Sequence, residues 1–315
     1  MQILTSERIG AVASMQPLIE ALRAAFGSGA TAPPRQLLTV PGGAGDRLML
    51  TMPAFTADGG AAVKVATVFP DNPAHGVPTI HATIVVFSER GVPTALLDGT
   101  LVTRLRTGAT SALASRYLSR EDSERLVIVG TGALAPYMAW AHCEARPIHT
   151  VSVYGRSPER ASRTVASIRS LLKRELDVLV ASSIEEAVRD ADIVSCCTSA
   201  ATPVLAGAWL RPGTFVDLVG SFSPHRREAD DEAVRRSRIF VDTFEGALGE
   251  AGDLLDPLAR GVIRREQIEG ELADLIRGRV QGRATRDETI LFKSVGSAVE
   301  DLAACRLLMQ MAASS

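Results

Sequence analysis

The chain has 315 residues, 46% hydrophobic and 22% charged, a balance that supports a sizeable core and excludes a disordered or low-complexity architecture. Basic and acidic residues nearly cancel, 34 against 36 for a formal charge of −2, and no long basic block occurs, so no nucleic-acid partner is expected. The opening MQILTSERIGAV lacks a basic segment ahead of an apolar run, and the uncharged stretches 126–143 and 193–210 carry proline and other breakers. These features read as a cytoplasmic protein without a secretory leader or membrane span.

In chain order, the first part is strand-rich. AAVKVATVFP and TIHATIVVFSERGVPTALLDG read as strands, with SERG as a hairpin turn, in a mostly antiparallel sheet. From Arg125 the pattern changes. Short apolar runs RLVIV, TVSVY, DVLVA, DIVSCC, TFVDLV and RIFVDT are interleaved with helical segments at 133–144, 158–172 and 184–189, which predicts right-handed crossovers and a parallel sheet. Ser183 with Glu186 forms a capping-box pattern that sets one helix start. After Gly296, Val299, Leu302, Leu307, Leu308 and Met311 fall at helical spacing and predict a packing helix that returns to the first domain. The expected fold class is α/β: a doubly wound Rossmann-type domain at 119–292, and a discontinuous α+β domain made of 1–118 and 293–315.

The four cysteines show no C-x-x-C spacing and read as buried, reduced thiols. The five histidines include neither an i, i+4 pair nor H-E-x-x-H, so no metal site is expected.

Gly130-Thr131-Gly132-Ala133-Leu134-Ala135 follows a strand and opens a helix, the G-x-G-x-x-A context of dinucleotide binding. The first glycine allows a tight turn, the second lets backbone N–H groups approach a pyrophosphate, and the small third residue allows close helix–strand packing. Gly130, Thr131, Gly132, Ala133 and Leu134 are therefore candidate cofactor contacts. After the second strand, where a carboxylate would bond the ribose of NAD, the chain reads Gly155-Arg156-Ser157. A guanidinium and a hydroxyl suit a 2′-phosphate, which favours NADPH and leaves NADH possible.

The segments PTIHATIVVFSERGVPTALLDGTLVTRLRTGATSALASRYLSRED and LVIVGTGALA, together with KVATVFPDNPAHGVPT and FKSVGSAVEDLAA, resemble the ornithine cyclodeaminase/μ-crystallin family over nearly the whole chain. The resemblance implies a homodimer and a substrate carboxylate gripped by basic residues, here Arg35, Lys64 and Arg106. Lys64 is also the candidate catalytic residue, with a bound water as the other route for the imine proton. His81 is a candidate substrate contact or a satisfied core or interface histidine. Thr107, Thr198 and Val295 are further candidate cofactor contacts.

Cyclodeaminases of the family carry an aspartate where this chain has Ser221, after Gly220. A hydroxyl cannot serve as that base near neutral pH. Ser221 becomes a candidate substrate contact, and VGSFSPHRREADDE resembles the branch that reduces Δ1-pyrroline-2-carboxylate and Δ1-piperideine-2-carboxylate. The expected activity is NAD(P)H-dependent reduction of a small cyclic imino acid to proline or pipecolate. The alternatives are alanine dehydrogenase-like or ornithine cyclodeaminase activity, or a non-catalytic NADP-dependent crystallin-like binding protein.

Overall fold

Alternation at every second position sends one set of side chains in each strand of the first part to one face of a sheet and the other set to the opposite face. The computed structural model describes residues 1–42, 47–172 and 174–314. It forms two compact units, Met1–Arg106 with Ser297–Ser315, and Thr107–Gly296. The sequence expectation drew these lines at 118/119 and 292/293; the first divide instead falls inside a continuous helix, which no composition shift marks.

The first unit begins with β1 (Gln2–Leu4), α1 (Ser6–Val12) and α2 (Met15–Ser28), followed by β2 (Gln36–Thr39), β3 (Leu48–Phe55), β4 (Ala61–Val68), β5 (Ile80–Phe87) and β6 (Pro93–Asp98). The sheet order is β1-β6-β5-β4-β3-β2, antiparallel except for the parallel β1–β6 pair. The β5–β6 turn closes with Ser88 N–H donating to the Val92 carbonyl, and Gly91 has a φ of +72°, which a side chain would disfavour. Leu50, Met52, Ala54, Ala62 and Ala66 are buried on one face, whereas Met49 and Phe55 remain exposed on the other. α3 (Gly99–Leu118) is buried along nearly all of its second half, where small residues permit close packing; a Cβ on Gly108 would lie 2.8 Å from the Tyr137 carbonyl oxygen.

The second unit alternates β7 (Arg125–Val129), α4 (Ala135–Ala145), β8 (Thr150–Tyr154), α5 (Pro158–Leu172), β9 (Asp177–Val180), α6 (Ile184–Asp190), β10 (Ile193–Cys196) and β11 (Phe215–Leu218). It continues through α7 (Asp231–Arg235), β12 (Arg238–Val241), α8 (Phe244–Glu250), α9 (Gly252–Ala259), β13 (Ile268–Glu271), α10 (Leu272–Ile276) and β14 (Ile290–Lys293). These eight strands are parallel in the order β13-β12-β14-β11-β10-β7-β8-β9, the doubly wound Rossmann-type arrangement expected. Strand order reverses between β7 and β10, the crevice where such sheets take ligands.

β13 and β14 were not anticipated, the latter lying between β11 and β12, and one helix start differs. α4 starts at Ala135 rather than 133, because Gly132 C=O accepts from Ala135 N–H in a preceding turn. At α6 the Ser183 hydroxyl caps Glu186 N–H at 3.3 Å.

α11 (Ala298–Ala313) belongs to the first unit, where it packs on α2, β3 and β4. Val299, Leu302 and Leu308 are buried there, while Leu307 and Met311 are half-buried. All four cysteines are free, three buried and Cys197 half-buried. Among the described residues no helix is long and apolar enough to cross a membrane.

Candidate functional site

In the first unit, β4 carries Lys64 on the buried face, opposite Ile84 of β5, and the side chain is only 3% exposed. An ammonium in such a place needs a counter-charge. The first turn of α11 supplies it. Ser297 and Glu300 form a reciprocal capping box, with Glu300 Oε1 accepting from Ser297 N–H at 3.1 Å. Glu300 Oε2 accepts from Arg106 Nη1 at 2.7 Å, Asp301 Oδ1 accepts from Arg106 Nε at 3.0 Å, and Asp301 Oδ2 stands 2.7 Å from Lys64 Nζ. That last contact is an ion pair without a well-directed hydrogen bond at Oδ2.

Burial pushes the Lys64 ammonium down to about 8; Asp301 opposes this, while Arg106 and Arg35 reinforce it. Lys64 and Arg106 thus meet on Asp301, and the Arg35 charge also lowers the Lys64 pKa. Burial works against the Arg106 charge, but Asp301 and Glu300 raise its pKa above the ordinary arginine value. Burial likewise opposes ionisation of Asp301, yet Lys64 and Arg106 hold its carboxyl below the usual range. Glu300 and Asp301 are functional candidates that the sequence reading did not single out, although the S-x-x-E pattern after Gly296 marks the helix start that positions them.

His81 is not brought to this cluster. It pairs with Thr67, three positions along β4 from Lys64, so it occupies the opposite, exposed face of the sheet.

In the second unit, Gly130 sits at φ +126°, where a Cβ would lie 2.8 Å from the Cys197 carbonyl oxygen. Nothing lies within 4 Å of a Cβ built on Gly132, so the loop presents open backbone there. Ala135 is fully buried at the start of α4, and Gly155 is tight against the Thr131 side chain. Thr131, Gly132 and Ala133 line a cleft of about 330 Å³ with Pro136, Arg160, Arg163, Thr164 and Ser167. Backbone N–H groups and the positive end of a helix make this cleft suited to a pyrophosphate, and the two guanidinium groups add positive charge to its wall. Leu134 is half-buried in the turn and Arg156 is exposed. Ser157 donates to Glu159 and accepts from Arg160 N–H, so its hydroxyl also opens α5. Arg160 and Arg163 were missed because a surface helix rich in arginine looks the same in sequence whether or not a cleft lies beside it.

At the carboxyl ends of β10 and β11, Thr198 N–H and Oγ1–H both donate to Glu228 Oε1, at 2.7 and 2.9 Å, and Gly220 N–H donates to Glu228 Oε2 at 2.7 Å. Ser221 is buried, with its hydroxyl donating to the Arg226 carbonyl. Val295 N–H donates to Asp242 at 2.8 Å, and Thr107 is buried in α3. Asp217 is fully buried, accepting from Ser111 and Ser195 hydroxyls at 3.0 and 2.8 Å, with His142 Nε2 at 3.0 Å. These bonds make Asp217 an interior brace of the unit.

The sequence model of the ornithine cyclodeaminase/mu-crystallin family matches residues 1–315. A Δ1-pyrroline-2-carboxylate reductase of Paracoccus denitrificans is 39% identical over 291 residues, covering 92% of this chain and 90% of its own. The structure of Thermococcus litoralis Δ1-pyrroline-2-carboxylate reductase in complex with NADH and L-proline superposes with a TM-score of 0.95 at 35% identity, covering 100% of this chain and 98% of that one. An archaeal alanine dehydrogenase dimer with bound NAD gives a TM-score of 0.91 at 29% identity, covering 100% and 96%.

Proposed function

Because the chain belongs to the ornithine cyclodeaminase/mu-crystallin family, we propose that it is an oxidoreductase that uses NAD(P)H to reduce a cyclic ketimine-2-carboxylate, Δ1-pyrroline-2-carboxylate or Δ1-piperideine-2-carboxylate, to proline or pipecolate. The observation that carries this reading is Lys64: a buried cation, paired with Asp301 and neighboured by Arg106 and Arg35. A guanidinium presents a planar fork to a carboxylate, and a buried ammonium with its pKa near neutrality can both hold an anion and give up a proton.

The glycine loop of the second unit fits a dinucleotide: open backbone at Gly132, a glycine-only conformation at Gly130, and cationic groups along the cleft. Bound there, a reduced nicotinamide nucleotide supplies the hydride. Arg35, Lys64 and Arg106 fix the carboxylate and thereby the face of the imine that is presented, a positioning role. Lys64 provides the proton that the ring nitrogen acquires. Ser221, with its hydroxyl committed to Arg226, offers no carboxylate for ammonia expulsion, which favours imine reduction over cyclodeamination.

The first test is a substrate panel. The account expects oxidation of NAD(P)H by a cyclic ketimine without added ammonia. Turnover only with a 2-oxo acid plus ammonia supports the alanine dehydrogenase-like alternative. Turnover of ornithine without net change in nucleotide supports cyclodeamination, and tight cofactor binding without any turnover supports a binding protein.

Arg156, with Arg160 and Arg163 along the cleft, supports a preference for NADPH. Replacing Arg156, or Arg160 and Arg163 together, by alanine is expected to lower the NADPH-to-NADH ratio of kcat/KM at least ~10-fold, about 1.4 kcal/mol. Steady-state kinetics with both nucleotides checks this, and equal losses for the two would remove these arginines from the 2′-phosphate.

A homodimer accords with the exposed sheet face of the first unit, where Leu38, Met49 and Phe55 stay 51%, 36% and 47% exposed beside half-buried Val63 and Val65.

A further inference from the structure

Glu228 is fully buried and accepts from both strand-end loops. Its own backbone is fixed as well: its carbonyl accepts from Val204 and Leu205 N–H, and its N–H donates to Asp253 at 2.7 Å. Gly220 lies so tightly against Thr198 and the Glu228 carboxylate that no side chain fits there. One carboxylate thus joins the end of β10 to the end of β11, at the carboxyl edge of a parallel sheet where ligands of this fold bind.

We propose that Glu228 is a positioning residue for the nucleotide, its ionised carboxylate clamping the Thr198 and Gly220 loops in their binding geometry and releasing them when it takes up a proton. The inference rests on the nucleotide-binding reading above. A carboxylate accepts from all three donors at once. The protonated acid turns one of its oxygens into a donor, which confronts the N–H groups it held.

The groups facing the clamp are Lys293 from β14, Asp253 from α9 and the thiols of Cys196 and Cys197 at the end of β10; Gly220, beyond β11, presents backbone alone. Lys293 is itself tied to Asp253 at 2.9 Å. Burial pushes the Glu228 carboxyl up to about 7, with Asp253 adding to the rise and Lys293 and the loop N–H groups opposing it. Burial and the nearby carboxylates keep both thiols neutral in this range. The clamp is therefore closed above about pH 7 and opens below it.

NADH is the probe, since its pyrophosphate keeps its charge across this range, and fluorescence titration reads binding in the absence of substrate. Wild-type affinity is expected to weaken about tenfold between pH 8 and pH 6, following the clamped fraction. Glu228→Gln should bind NADH at least about tenfold less tightly at pH 8, with no further weakening on acidification. A flat wild-type profile, or the same pH dependence retained in Glu228→Gln, would overturn the proposal. The wild-type titration decides by itself should the variant fail to fold. Absence of NADH binding at every pH would overturn the nucleotide reading and this inference with it.

Discussion

Replacing Lys64 with alanine is expected to lower kcat/KM for the cyclic ketimine at least ~100-fold, about 2.7 kcal/mol of transition-state stabilisation, while nucleotide affinity stays intact. The magnitude follows from two losses. The substrate carboxylate loses one of its cations, and the ring nitrogen loses its proton source. Wild-type kcat/KM should also fall as pH rises through about 8, where the buried ammonium gives up its proton. Steady-state kinetics alongside nucleotide titration checks both, and unchanged turnover in the variant removes Lys64 from the chemistry.

Asp301→Asn should act on the same limb from the other side. Asp301 is the main influence holding the Lys64 pKa up against burial, so its neutralisation drops that pKa further. The alkaline fall in kcat/KM is expected to move toward neutrality by at least about one pH unit. Activity measured at pH 8 falls accordingly. Arg106 keeps its bond to Glu300, and an asparagine oxygen can still accept from Arg106 Nε, so a folded protein is expected; thermal unfolding of the variant checks this. An unmoved pH profile would mean that Lys64 does not set the limb.

Much of the second unit was legible because parallel strands buried on both faces read as unbroken apolar runs, and the glycine loop has a local backbone reason for each residue. β14 escaped that logic. Lys293 ends its apolar run with a charge, and the distant Asp253 and Glu228 make a fully buried lysine tolerable there. The same holds for Lys64. Its strand neighbours could not decide which face was buried, and its partner Asp301 lies on the far side of the whole second unit in sequence. Strand parity also governs His81: its place opposite Thr67 turns it away from Lys64, a distinction that depends on pairing register rather than composition. Glu228 lies within VGSFSPHRREADDE, but nothing local marks its role, since a carboxylate clamping two loops is defined by those loops meeting in space.

The most direct measurement is transfer of label from NADH carrying deuterium at its transferable position to Δ1-pyrroline-2-carboxylate, read by mass spectrometry and NMR of the product. The account predicts proline with one deuterium at the carbon bearing the carboxylate, formed without ammonia. Unlabelled proline, or no proline from any cyclic ketimine while the nucleotide binds tightly, would contradict it.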